Sequence, residues 1–175
     1  VEKIDQYYYE IEENDKYSLL NKLIYTYRPD SCILFCNTKD AVNQLTQKMK
    51  NKDYSCNALH GGMEQEERLK VMKEFKRGTF QFLIATDVAA RGIDIEDISL
   101  VVNYDIPVEK ESYVHRIGRT GRAGSRGNAI TFVTSRQSRL FNQIENYLDY
   151  EIPKREIPSE QEIEQGKKIF QEQVK

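Results

Sequence analysis

The sequence predicts one α/β domain, a doubly wound and mostly parallel sheet flanked by helices. Two observations carry that expectation. Short runs rich in β-branched and aromatic residues alternate with longer segments of helical period, the pattern of strands joined by crossover helices. Polar residues with chemistry gather straight after the strand-like runs, where open α/β sheets keep their ligands. A chain of 175 residues is long enough for one full core and short for two.

Taken in order, residues 1–6 read as a linker and residues 7–12 as the first strand. The run Tyr7-Tyr8-Tyr9 suggests base stacking, but strand alternation sends at least one ring into the core, which favours packing. A helix over Lys16–Tyr27 ends at Arg28-Pro29-Asp30, because proline cannot continue it. Strands are expected over residues 32–36, 55–59, 80–85, 100–104 and 129–133. Helices are expected over Lys39–Asn51, Gln65–Lys76, Lys110–Ile117 and Ser138–Leu148, the third of the chain's helices closing at Lys76-Arg77-Gly78. The domain so defined spans residues 7–150. Residues 151–175 form a polar extension with Pro153 and Pro158, whose last stretch has the period of a solvated helix.

The formal net charge of −2 excludes a diffusely basic nucleic-acid binder, so phosphate recognition must come from local clusters. The apolar runs are far shorter than the roughly 20 residues that span a bilayer, and nothing resembles a signal peptide, so a cytoplasmic protein without a membrane partner is expected. Cys32, Cys36 and Cys56 are odd in number and lie in strand-like segments. They suit buried thiols in a reducing compartment, and no zinc-ligand spacing is present, so no metal site is expected.

One cluster stands out. Residues 113–127 hold four arginines and no Asp or Glu, and within them His115-Arg116-Ile117-Gly118-Arg119-Thr120-Gly121-Arg122 sets planar, permanently charged donors among glycines, a composition suited to phosphate. A second dense segment, residues 85–94 (ATDVAARGID), begins just after a strand. Its Thr86-Asp87 pair can cap a helix, and the same hydroxyl and amides can meet a phosphate oxygen.

Together these pieces resemble the carboxyl-terminal RecA-like domain of DEAD-box RNA helicases. Residues 31–38 (SCILFCNT) are similar to that family's motif IV, Gln65-Glu66-Glu67-Arg68 to its Q-x-x-R element, residues 85–94 to motif V and residues 115–122 to motif VI. The wording between the motifs is most like the bacterial DbpA-type branch.

The resemblance implies a RecA-like fold and a role as half of an ATP-dependent RNA helicase. It implies that Arg119 and Arg122 reach the γ-phosphate of ATP, with Arg122 the principal arginine finger, and that His115 makes a contact across the domain interface. Arg116 would contact phosphate or pair with a carboxylate inside the domain. Asp94 matches the family position that meets the ATP ribose, although a turn-forming aspartate after Gly92 explains it equally.

On the RNA side, Thr38, Gly62, Arg68 and Thr86 match positions near the sugar-phosphate backbone, where small or hydroxyl-bearing residues read phosphate rather than base. Arg68 also lies four residues after Glu64, a spacing that allows an intrahelical ion pair. No phosphate loop and no Asp-Glu-Ala-Asp sequence occurs in the chain. The resemblance implies that ATP with magnesium binds at an interface with an N-terminal RecA-like domain, which would supply the phosphate loop and the metal-binding carboxylates.

The partners implied are RNA, that N-terminal domain, and a further carboxyl-terminal RNA-binding domain linked to ribosome assembly. Two rivals keep the same fold: a non-catalytic module that binds RNA or protein, and a helicase acting on DNA. The intact arginine run argues against the first.

Overall fold

In the computed structural model, residues 3–91, 95–121 and 126–174 are described. The strands are β1 (Ile4–Glu10), β2 (Cys32–Phe35), β3 (Cys56–Leu59), β4 (Phe82–Ala85), β5 (Leu100–Asn103) and β6 (Gly127–Val133). The helices are α1 (Lys16–Tyr27), α2 (Lys39–Asn51), α3 (Gln65–Lys76), α4 (Asp87–Ala90), α5 (Lys110–Ile117), α6 (Ser138–Leu148) and α7 (Glu160–Val174). The strands form one sheet in the order β1-β6-β5-β2-β4-β3, and every neighbouring pair is parallel.

Strands β2, β4 and β5 are buried at every position, which is why they read as unbroken apolar runs rather than alternating ones. Their residues divide between two cores. Cys32, Leu34, Phe82, Ile84, Leu100 and Val102 face α1 and α2. Ile33, Phe35, Leu83, Ala85 and Val101 face α3 and α4, while α5 and α6 pack over β1 and β6 on that second side. This division follows from right-handed crossovers: connections that run one way along the sheet place their helices on one face, and those that run back use the other. All three cysteines are buried, as expected, and burial pushes the thiols of Cys32 and Cys36 well above their ordinary range.

The turns are closed by local chemistry. Arg28, at φ 47°, ends α1 with its N–H donating to Ile24 O, just before Pro29. Asp149, at φ 65°, ends α6 in the same way.

Three features differ from the expectation. Strand β1 begins at Ile4, so residues 4–6 belong to the sheet and not to a linker; β6 supplies the partner backbone, with Ile4 opposite Gly127. A separate short helix, α4, follows β4. The polar extension is docked on the domain. Tyr8 N–H donates to Pro153 O at 3.0 Å and Arg155 N–H to Tyr8 O at 2.9 Å, so this segment covers the open edge of β1. The Arg155 guanidinium lies 3.7 Å from the centre of the Tyr7 ring and donates to Tyr27 Oη at 2.8 Å. Helix α7 then crosses α1, where Gly166 permits the approach: a Cβ there would run into the Tyr25 carbonyl. In the tyrosine run, Tyr9 is buried while Tyr8 packs on Phe141, which supports packing over stacking on bases.

Candidate functional site

The chain reverses its winding around β2. Helix α2 follows β2 on the first face, whereas α4 and α5 follow the neighbouring strands β4 and β5 on the second. A crevice opens where such connections diverge, at the carboxyl ends of the strands. Here the crevice is filled by one side chain. Arg116, from α5, is 1% exposed. Its Nε and Nη2 donate to Asp87 Oδ1 and Oδ2 at 2.6 and 2.7 Å. Its Nη2 also donates to Asn37 Oδ1 at 2.7 Å, and its Nη1 to Asp105 O at 2.7 Å and to Asn103 Oδ1 at 3.3 Å. The guanidinium lies 5.2 Å from the centre of the Phe35 ring. One arginine thus ties together the segments after β2, β4 and β5. Of its two expected alternatives, the internal pairing is the one observed.

The bidentate geometry suits this task, since only a planar fork can satisfy a carboxylate and three further acceptors at once. The network continues outward. Asn103 Nδ2 donates to Thr131 Oγ1 at 3.1 Å, and Asp105 Oδ2 accepts the N–H of Asn37 at 2.9 Å.

Arg119 lies one turn beyond Arg116, past the end of α5. Its Nη2 donates to Ala90 O at 3.2 Å. From the other side, Arg68 Nη2 donates to Ala89 O at 3.3 Å. The two arginines therefore hold consecutive carbonyls at the end of α4, where a helix leaves such groups unsatisfied. The ion pair of Arg68 with Glu64 that the spacing allows does not form; Arg68 turns to Ala89 and, at 3.5 Å, to Gln65 Oε1. Its Nε is buried without a hydrogen-bond partner.

Thr38 and Thr86 both act as N-caps. Thr38 Oγ1 accepts Ala41 N–H at 3.1 Å at the start of α2, and Thr86 Oγ1 accepts Ala89 N–H at 3.4 Å at the start of α4. Thr38 is exposed and Thr86 is buried. Gly62 is exposed, donates its N–H to His60 Nδ1 at 3.1 Å, and lies where a Cβ would meet the Lys39 stem at 3.1 Å. His115 is exposed on α5. The structure thus brings Arg68, Thr86 and Arg119 together around α4, with Arg116 beneath. Asp94 and Arg122 lie outside the described residues.

Sequence reasoning missed Asn103 and Asp105 as members of this network, together with Lys16, whose Nζ lies 3.2 Å from Asp105 Oδ1. A polar residue closing an apolar strand, as Asn103 does, is the signal that points to such a partner. Among the described residues no group of His, Cys, Asp or Glu could hold a metal ion, and no helix is long and apolar enough to cross a membrane.

Residues 15–124 match the helicase conserved C-terminal domain family. The chain belongs to that family. It is 56% identical to the ATP-dependent RNA helicase DbpA of Bacillus subtilis over 161 residues, covering 92% of this chain and 34% of that protein. The chain therefore spans about a third of the length of this curated relative. Among solved structures it resembles a DEAD box protein of Methanococcus jannaschii, with 37% identity and a TM-score of 0.83 over 89% of this chain and 42% of that one. It also resembles Saccharomyces cerevisiae Dbp5 bound to RNA and ADP BeF3, with 36% identity and a TM-score of 0.84 over 98% of this chain and 46% of that one. These likenesses make it a DbpA-like, RecA-like C-terminal domain of the DEAD-box group.

Proposed function

We propose that this domain completes the ATP cleft of a DEAD-box RNA helicase and supplies part of its RNA surface, so that the whole protein unwinds short RNA duplexes at the expense of ATP. The observation that carries the reading is the buried Arg116 junction. It fixes α5 on a rigid support, with His115 exposed on that helix and Arg119 held just past its end against the Ala90 carbonyl, which is the arrangement a catalytic group needs if it is not to be reoriented at every turnover.

The fit to a nucleotide is one of charge. Arg119, with Arg122 three positions on, offers permanently charged planar donors for phosphate oxygens. ATP, held with magnesium by an N-terminal RecA-like domain, would supply the phosphoryl group. Arg119 and Arg122 stabilise the charge that develops on it, His115 contacts the partner domain, and Asp94 accepts hydrogen bonds from the ribose.

Thr38, Gly62, Arg68 and Thr86 face the RNA backbone. Their contacts within the domain, caps for the two threonines and a carbonyl for Arg68, position them without consuming every donor they carry. Support comes from Dbp5, which shares this fold and was captured with RNA and ADP BeF3. The likeness to DbpA extends the proposal to ribosome assembly in the cytoplasm, with a further carboxyl-terminal RNA-binding domain as partner.

The experiment is steady-state ATP hydrolysis by the full-length helicase across an RNA titration. Arg68→Ala should raise the RNA concentration for half-stimulation while the plateau falls less. An unchanged RNA requirement would remove Arg68 from the RNA surface. No ATP hydrolysis by the wild type at any RNA concentration would favour the non-catalytic module.

A further inference from the structure

Lys16 is the first residue of α1 and is 1% exposed. Neither fact helps the helix. A cation at a helix N-terminus opposes the helix dipole, and a buried ammonium loses its hydration unless it is paired. The pairing is specific. Lys16 Nζ lies 2.9 Å from Glu13 Oε2 and 3.2 Å from Asp105 Oδ1, with side-chain exposures of 69% and 18% for those two partners. The Tyr104 ring closes the site at 5.6 Å from the ammonium.

Asp105 then connects to Arg116 by two routes. Its backbone O accepts from Arg116 Nη1 at 2.7 Å, and its Oδ2 accepts the N–H of Asn37, whose Oδ1 accepts from Arg116 Nη2 at 2.7 Å. Lys16 neutralises the one carboxylate that holds both of these acceptors in place.

We propose that Lys16 is a positioning residue: its buried charge fixes Asp105, and thereby Asn37 and Arg116, so that α5 presents His115 and Arg119 in one orientation. The inference rests on the proposed hydrolysis for its kinetic consequence and on geometry alone for its structural one. Without the ammonium, the Asp105 carboxylate swings toward solvent, and Asn37 and the Asp105 carbonyl no longer sit where the guanidinium fork needs them. Helix α5, with Arg119 just past its end, then samples several orientations, which lowers the turnover number more than it weakens ATP binding.

The test uses the full-length helicase with Lys16→Met, Lys16→Arg, Asp105→Asn and the Lys16→Met/Asp105→Asn pair, each normalised to folded molecules. Lys16→Met and Asp105→Asn should each lower the RNA-saturated kcat about tenfold while KM for ATP moves less than about twofold. The double variant should be no worse than the poorer single, because both act through one chain of contacts. Lys16→Arg should restore most of the rate. Hydrogen exchange of the backbone amides of residues 114–117 should quicken about tenfold in Lys16→Met.

An unchanged kcat, losses that multiply in the double variant, or unchanged exchange in α5 would each overturn the inference. If Lys16→Met does not fold, Asp105→Asn, which keeps the side-chain shape, carries both measurements. A wild-type enzyme that hydrolyses no ATP would defeat the functional reading, and the α5 exchange would still decide the role of Lys16.

Discussion

Replacing Arg116 by alanine removes a fully buried guanidinium and its five hydrogen bonds. What it leaves behind sets the cost. Asp87, 25% exposed, keeps a negative charge with no cation beside it, and the Asn37 and Asn103 amide oxygens and the Asp105 carbonyl each lose a donor. Breaking one side of a buried ion pair costs about 3–5 kcal/mol, a large share of the roughly 5–15 kcal/mol that holds a domain folded. At about 2–4 °C of melting temperature per kcal/mol for a domain of this size, the midpoint should fall by some 6–20 °C. Arg116→Lys should recover only part of this, because an ammonium cannot span Asp87 and Asn37 together. Thermal and urea denaturation followed by circular dichroism measure both variants. A loss below about 1 kcal/mol for Arg116→Ala, the range of an exposed ion pair, would refute the idea that this residue organises the crevice.

Gly121→Ala should destabilise the domain by at least about 1–3 kcal/mol from backbone strain alone, because Gly121 has φ +72° and a Cβ there would lie 2.8 Å from Ile4 Cγ1 and Lys3 O; a urea midpoint equal to wild type would contradict this. Gly166→Ala should lift α7 off α1 while leaving the sheet intact, seen as rapid proteolytic cleavage near residues 157–160 with little change in the main unfolding transition. The buried thiols and the phenols of Tyr27, Tyr54, Tyr104 and Tyr113 are all pushed upward, chiefly by burial. The folded chain then keeps protons that the unfolded chain releases above the ordinary thiol value of 9.0, so stability should be level to about pH 8 and fall as pH rises beyond 9. Urea midpoints at three pH values check the sign, and a midpoint that rises with alkali would be inconsistent with these burials.

Much of the fold was legible because its signals are local. The runs around Cys32–Phe35, Phe82–Ala85 and Leu100–Asn103 are apolar on both faces, as strands buried on both sides must be, and α1, α2, α3, α5 and α6 fall within the expected bounds. The start of β1 was less legible: Ile4 to Gln6 carry mixed polarity, and only pairing with β6 makes them a strand. Helix α4 has four residues, too few for a periodic signal. Composition gave the tail as polar, and nothing in it foretold that backbone pairing at Tyr8 and the missing side chain of Gly166 would dock it. In the site, the motif arginines could be named from the sequence, but their division of labour could not. Arg116 and Arg119 are alike as residue types, and only the placement of Asp87, Asn37 and Asp105 makes the first an internal strut while the second lies half-buried against the end of α4.

We propose that Arg119, with Arg122, completes a nucleotide cleft whose other half lies on a different domain. Single-turnover ATP hydrolysis by the full-length helicase at saturating RNA, with Arg119→Ala and Arg122→Ala compared to wild type and ATP affinity measured in parallel, tests it most directly. ATP affinity should stay within a few-fold of wild type while hydrolysis falls by about 10³–10⁵ for the principal finger, the loss found when such an arginine is withdrawn from phosphoryl transfer. Hydrolysis within a few-fold of wild type in both variants would remove these arginines from the phosphoryl-transfer site.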